Sequence, residues 1–312
     1  MLKYVLKRLG YILVTLWVIV TCTFFMMKNL PGTPFDAERF SIMTPQQQER
    51  VLEMYGLNDS LPMQYVKYIK NMLKGDLGTS FTYVNQDVSK VITGRLGPSA
   101  LIGIQAVLIG LAIGLILGIL AAWKHNSGID YFTMLLAGLG VSVPNFVAAA
   151  LLQYYIGLKW GALPVGFWTG WNCSVLPSIA LSFSATAMVA RFMRTEMLDV
   201  LDQDYIVTAR AKGLSQMKVR MRHAVRNSIL PVVTILGPIV VNLMTGSLAV
   251  ENIFSIPGIG SLFVDCIKAN DYPVIMGITI FYAAFYMLIV LLVDLAYSLI
   301  DPRIRLAKGK ES

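Results

Sequence analysis

From Ser99 to Trp123 the chain runs for twenty-five residues without one charged side chain. As a helix this stretch is about 37 Å long, enough to cross the roughly 30 Å hydrocarbon layer of a bilayer. Comparable apolar stretches recur at Leu9–Met27, Tyr131–Leu158, Val175–Ala190, Asn227–Val250 and Pro273–Val293. Lipid offers no partners to backbone polar groups, so only helices or closed barrels span it. These runs exceed the roughly 9–11 residues of a barrel strand, which selects helices. Composition agrees: 56% of residues are hydrophobic and 14% charged, against about 25% charged in soluble domains. The expected fold class is therefore all-α, a polytopic membrane protein with six transmembrane helices.

Lys3, Lys7 and Arg8 precede the first apolar run. The run is too long for a signal peptide and lacks a small-residue cleavage site, so residues 1–28 read as a tail and an uncleaved first span. Leu30-Pro31-Gly32-Thr33-Pro34 then breaks the helix. Lys28 to Gly97 differs in kind, with eight basic and seven acidic residues and the turn signal Gly75-Asp76-Leu77-Gly78. It reads as a small external subdomain (29–97) with helices at Met43–Tyr55, capped by Thr44 with Pro45 at the first position, and at Leu61–Leu73. Residues 98–312 read as a five-helix transmembrane core with a cytoplasmic loop at 194–226 and a C-terminal tail.

Within the spans, Gly110, Gly114 and Gly118 repeat every four residues and so share one helix face. Glycines in that register let a second helix approach closely, within this chain or from a partner. Pro144 predicts a kink near Val143, and Gly237-Pro238 an interruption of the fifth span. Sixteen basic residues at the N-terminus, at Lys124, from Arg191 through Arg226 and in the tail stand against Lys159 and Lys268 in the two short loops of the other side. That asymmetry places both termini in the cytoplasm; the long 29–97 segment is exempt because long loops translocate despite their charge.

The stretch from Asp204 to Pro231, DYIVTARAKGLSQMKVRMRHAVRNSILP, is basic and polar between two apolar spans. It predicts two short helices. Tyr205, Ile206 and Ala209 share a side of the first, and Gly213 takes the left-handed position after it. Ser215 caps the second, with Met217, Met221 and Val225 on one face. Small residues at Ala209, Ala211 and Gly213 permit close approach of another chain. The same composition also suits an interfacial loop that only obeys the positive-inside rule.

The sequence holds no phosphate-binding loop, dinucleotide fingerprint or HExxH motif. Cys22, Cys173 and Cys266 form no CxxC pair, and His125 and His223 lie far apart, so no metal site is expected. Free thiols and a Cys173–Cys266 disulfide are both open. Arg191 and Asp294 alone approach the spans, near their cytoplasmic ends, where snorkelling or local pairing accounts for them. The chain thus shows no energy source of its own, and a transporter without one must receive work from a partner.

Thr208–Leu214 (TARAKGL), Arg222-His223-Ala224, Arg226-Asn227 and Leu230-Pro231 together resemble the cytoplasmic loop signature of ABC importer permeases, in the spelling of the oligopeptide/dipeptide branch. Leu30–Phe35, Gly75–Ser80, Glu251–Gly260 (ENIFSIPGIG) and Ile300–Arg305 agree in order, so the resemblance covers essentially the whole chain. Val207 stands where the loop's eponymous glutamate would be. The resemblance implies the type I ABC importer permease (MetI-like) architecture in a bacterial inner membrane, and a B-type subunit that is not an enzyme. It implies a homologous second permease subunit, an extracytoplasmic peptide-binding protein and two cytoplasmic ATPase subunits that use ATP, with no cofactor on this chain. Asp204, Tyr205, Thr208, Ala209, Arg210, Ala211, Lys212, Gly213 and Leu214 are then the docking loop. Nickel or oligosaccharide transport, a membrane assembly protein, an intramembrane enzyme built on Asn145, Gln153 or Ser182, and a self-powered carrier are the competing readings.

Overall fold

The computed structural model describes residues 2–29, 40, 42–54, 57–83, 86–244 and 248–300. Its helices are α1 (Leu2–Lys28), α2 (Pro45–Met54), α3 (Leu61–Met72), α4 (Val88–Trp123), α5 (Gly128–Ser142), α6 (Asn145–Leu152) and α7 (Val175–Leu201). Then follow α8 (Asp204–Ala211), α9 (Gln216–Lys218), α10 (Arg226–Met244), α11 (Leu248–Ile253), α12 (Ile259–Lys268) and α13 (Tyr272–Ile300). Five helical stretches are long and apolar enough to cross a membrane, or six if the pair Gly128–Ser142 and Asn145–Lys159 forms one bent span. The Leu30–Phe35 motif, the tail from Asp301 onward and the side chain of Asp294 lie outside the described residues.

The chain divides into two compact units, Met1–Gly97 with Gly258–Phe285, and Pro98–Pro257 with Tyr286–Ser312. Residues 258–285, assigned from the sequence to the five-helix core, group instead with the N-terminal segment. The reason is apolar packing: Val88 and Ile92 at the start of α4 share a core with Ile259, Leu262, Val274 and Ile278. Gly277 makes this possible, since a Cβ there would fall 2.5 Å from Val88 Cγ1. The same burial extends α4 eleven residues upstream of the expected Ser99, straight through Pro98.

In the first unit, Thr44 and Gln47 form a reciprocal cap at the start of α2. The Thr44 N–H donates to Gln47 Oε1 (2.9 Å), and the Gln47 N–H to Thr44 Oγ1 (3.4 Å). Helix α3 rests on α1 through Phe24 and Tyr65, ring centroids 5.4 Å apart. Fully buried Asp271 ties the Gly75–Tyr83 loop to the start of α13. Its carboxylate accepts from the Ser80 hydroxyl and from the N–H groups of Thr82 (3.0 Å), Phe81 (3.2 Å) and Val274 (3.4 Å). Removing the acceptor strands several buried donors at about 1–3 kcal/mol each. Asp271→Ala should therefore destabilise this unit by about 3 kcal/mol or more, read as a fall in midpoint temperature of the purified subunit; Asp271→Asn, which keeps one acceptor oxygen, should lose less.

The second unit is built on α7. Two thirds (67%) of its apolar window is buried, against 39% or less for the other spans. Half of its buried residues are small: Ser178, Ala180, Ser182, Ala185, Ala187 and Ala190. Small residues let membrane helices approach by backbone contact, where lipid gives large apolar side chains no reason to associate. Helix α4 meets α7 with its three glycines. A Cβ on Gly110 would lie 2.7 Å from Ala185 Cβ, on Gly114 2.7 Å from Val189 Cβ, and on Gly118 2.6 Å from the Ala190 carbonyl oxygen. On another flank Gly140 of α5 plays the same part, 3.0 Å from Ala187 Cβ.

Three expectations change. At Pro144 the chain does not kink but breaks, and the two helices meet at 100°. Val143 is extended (φ −81°, ψ 119°), as a residue before proline prefers, and Pro144 caps the new helix α6. At Pro238 the reverse holds, for α10 continues through Pro231 and Pro238 to Met244. Gly237, beside it, lies against the Val293 side chain. Helix α7 runs past Arg191 and Arg194 to Leu201 rather than stopping at Ala190, because Arg194 is paired within the protein.

Candidate functional site

The segment after α7 is held in a defined shape by local chemistry. Helix α8 opens with Asp204 in its first turn, where a carboxylate suits the helix dipole. It closes in a complete Schellman motif: the Gly213 N–H donates to the Arg210 carbonyl (3.0 Å) and the Leu214 N–H to that of Ala209 (3.4 Å). Gly213 has φ +76°, the left-handed conformation that the motif requires. Ser215 Oγ then accepts from the Lys218 N–H (3.4 Å) and starts α9. After α9 the helix widens to π geometry over Val219–Val225 before α10. The turn of two helices is sealed by Ile206, Ala209 and Val219, all buried, with Val200, Leu201 and Leu214 against them. Asn227 Nδ2 donates to the Tyr205 hydroxyl (3.0 Å) and braces the two arms.

This packing sorts the residues singled out in the sequence. Asp204, Tyr205, Thr208, Arg210, Ala211, Lys212 and Gly213 are exposed, whereas Ala209 is buried and Leu214 half-buried in the turn's own small core. Ala209 thus serves the fold and presents nothing outward, and Ile206 parts company with Tyr205. In the second arm Met217 and Met221 are exposed, while the wider π turn carries Val225 inward. The outer surface therefore combines basic Arg210 and Lys212 with large apolar side chains left in the open: Tyr205 (43% exposed), Val207 (57%), Met217 (60%) and Met221 (48%). The outward face of this braced turn thus sets exposed Met and Tyr side chains beside positive charge, residue types that are enriched at protein–protein interfaces.

Sequence reasoning missed a polar cluster close to this segment. Asp130, in the first turn of α5, has a side chain only 2% exposed. Arg194 of α7 grips it in a fork, Nε to Oδ1 at 2.5 Å and Nη2 to Oδ2 at 2.7 Å. The Asn126 N–H (3.0 Å) and His125 Nδ1 (3.2 Å) also contact Oδ2. The signal was a lone acid just after Lys124-His125-Asn126, which reads as an ordinary turn. A second buried carboxylate, Glu251, accepts from the Ser99 hydroxyl (2.7 Å). Beyond the break at Pro144, helices α5, α6 and α7 border an open, almost wholly apolar cavity of about 600 Å³, lined by residues such as Leu136, Gly140, Leu151, Tyr155, Phe183 and Ala187. Among the described residues no group of three His, Cys, Asp or Glu is placed to hold a metal ion. All three cysteines are free, Cys173 and Cys266 buried and Cys22 exposed.

Comparison with known proteins bears on this arrangement. Residues 114–306 match the family described as binding-protein-dependent transport system inner membrane component, and residues 1–96 the corresponding N-terminal family. The dipeptide transport system permease protein DppB of Lactococcus lactis subsp. cremoris is 46% identical over 306 residues, covering 98% of this chain and 100% of that one. Its Bacillus subtilis counterpart is 43% identical, with 99% of each chain covered. The oligopeptide transport system permease protein OppB of Salmonella typhimurium is 39% identical, covering 98% and 100%. Among solved structures, the MetNI methionine ABC transporter aligns over 68% of this chain and 97% of its own with a TM-score of 0.56 at 13% identity. An amino acid ABC transporter aligns over 69% and 94% with a TM-score of 0.52 at 20% identity. At such identities these two speak for the fold alone.

Proposed function

This chain belongs to the family of binding-protein-dependent transport system inner membrane components, and from that premise we propose that it carries peptides across a bacterial inner membrane as one of two homologous permease subunits. It is a multi-pass permease and not an enzyme. Two ATPase subunits dock on the turn from Asp204 to Leu214 and hydrolyse ATP within themselves; an external binding protein delivers the peptide. The observation that carries this reading is the braced turn with its exposed Tyr205, Val207, Met217 and Met221, set in a chain alike over its full length to dipeptide and oligopeptide permeases. Coexpression with the second permease, both ATPases and the binding protein tests it. The ATPases should copurify, and in proteoliposomes their hydrolysis should rise when peptide-loaded binding protein is added. Uptake of nickel or an oligosaccharide instead of peptide would overturn the substrate assignment.

The same reading places both termini in the cytoplasm and residues 29–97 outside. Gln46, exposed on α2 and outside the Thr44–Gln47 cap, is the labelling position to use. In a Cys22→Ser background, Gln46→Cys should react in intact, outer-membrane-permeabilised cells with a reagent that cannot cross the inner membrane. Background from Cys266 should be small. Burial, and secondarily the nearby Asp271 and Asp265 carboxylates, push its thiol up to about 12, so almost no reactive thiolate exists near neutrality. Labelling only after cell lysis would reverse the topology.

A further inference from the structure

We propose that the turn between α4 and α5 is a strut transmitting movement of the docking turn to the bent α5–α6 span, with Asp130 and Arg194 as its positioning residues. This rests on the docking role assigned above to α8. Three observations carry it. Arg194 lies two turns of unbroken helix before Leu201, where α7 hands over to α8, so displacement of α8 reaches Arg194 directly. From there the path is not apolar contact, which can slide, but a two-bond guanidinium–carboxylate fork into the first turn of α5. Such a fork fixes orientation as well as distance. A buried ion pair contributes little net stability compared with an apolar pair of similar size, so defined geometry is the better account of its presence. The second leg of the strut meets the other arm of the docking turn. The Arg220 guanidinium sits 6.0 Å from the ring centroid of Trp123, the last residue of α4. Both arms are thus tied to the two sides of one short turn, 124–127, through Trp123 before it and Asp130 after it. Helix α5 then runs from Asp130 to the 100° break and forms one wall of the 600 Å³ cavity. Moving the turn moves that wall.

The test uses the complete transporter in proteoliposomes and reads two quantities: copurifying ATPase, and peptide imported per ATP hydrolysed. Asp130→Asn, Arg194→Gln and the double variant should retain the ATPases. Their import per ATP should fall between about fivefold and a hundredfold, the range of typical coupling energies. The double variant should be no worse than the poorer single one, as for two residues acting through one contact. Arg194→Lys, which keeps charge but loses the fork, should fall between them and wild type. Arg220→Gln breaks only the second leg and should give a smaller loss. If Asp130→Asn never reaches the membrane, Arg194→Lys and Arg220→Gln decide. Unchanged import per ATP in both, with ATPases bound, overturns the strut. Failure of the wild-type chain to retain ATPases overturns the docking role instead.

Discussion

Gly114→Leu should abolish peptide uptake and reduce recovery of the assembled transporter. An added Cβ at Gly114 already meets Val189 Cβ at 2.7 Å and the Thr186 carbonyl oxygen at 2.9 Å, before any of the three further carbons of leucine are placed. One obstacle is backbone, which no rotamer change relieves. Overpacking typically costs about 1–3 kcal/mol and more where nothing yields, and here the obstructed helix is the most buried of the spans. Gly94→Leu on the same helix is the control, because nothing lies within 4 Å of a Cβ there. Equal assembly and uptake by the two variants would show that the glycine contact is dispensable.

Gly213→Glu should leave the chain in the membrane yet abolish uptake, and comparison with Gly213→Ala separates the causes. Within this chain a Cβ at Gly213 meets nothing within 4 Å, so sterics are not the issue. Strain is: φ is +76°, and an alanine there costs about 1 kcal/mol. Gly213→Ala and Gly213→Asn should therefore be nearly normal in expression and lose little transport. A glutamate adds a charge that, once enclosed by a docked subunit without a partner, costs several kcal/mol more. ATPase copurification should fall for Gly213→Glu alone. Normal copurification of that variant would mean that no subunit closes over this turn.

Much of this was legible because the membrane imposes strong rules on sequence. Uncharged runs mark spans, and positive φ after a short polar helix calls for Gly213. Glycines four apart require a partner surface, although only the structure reveals that it is Ala185–Arg194 of the same chain. What escaped detection depends on long-range pairing. Arg194 reads as a stop to α7 until Asp130, sixty-four residues earlier, is seen beneath it. Asp271 carries no local signal, because its partners lie in the Ser80–Thr82 loop about 190 residues earlier. Prolines mislead in both directions, since the same ring breaks the helix at Pro144 and is absorbed at Pro238. Local sequence states the lost hydrogen bond; the neighbours decide whether it is replaced.

Helix α7 is twenty-seven residues long, about 40 Å at 1.5 Å per residue. Its glycine contacts with α4 and α5 fall between Ser182 and Arg194, and nearer its start Ser178 bonds to α4 at the Ile102 carbonyl (3.3 Å) and Gln105 Oε1 (2.9 Å). Buried residues run along it from Leu176 to Met197, so it is clamped nearly end to end and has no free arm. A push at its Leu201 end is therefore shared at once with the helices packed around it, and the unit answers as a block.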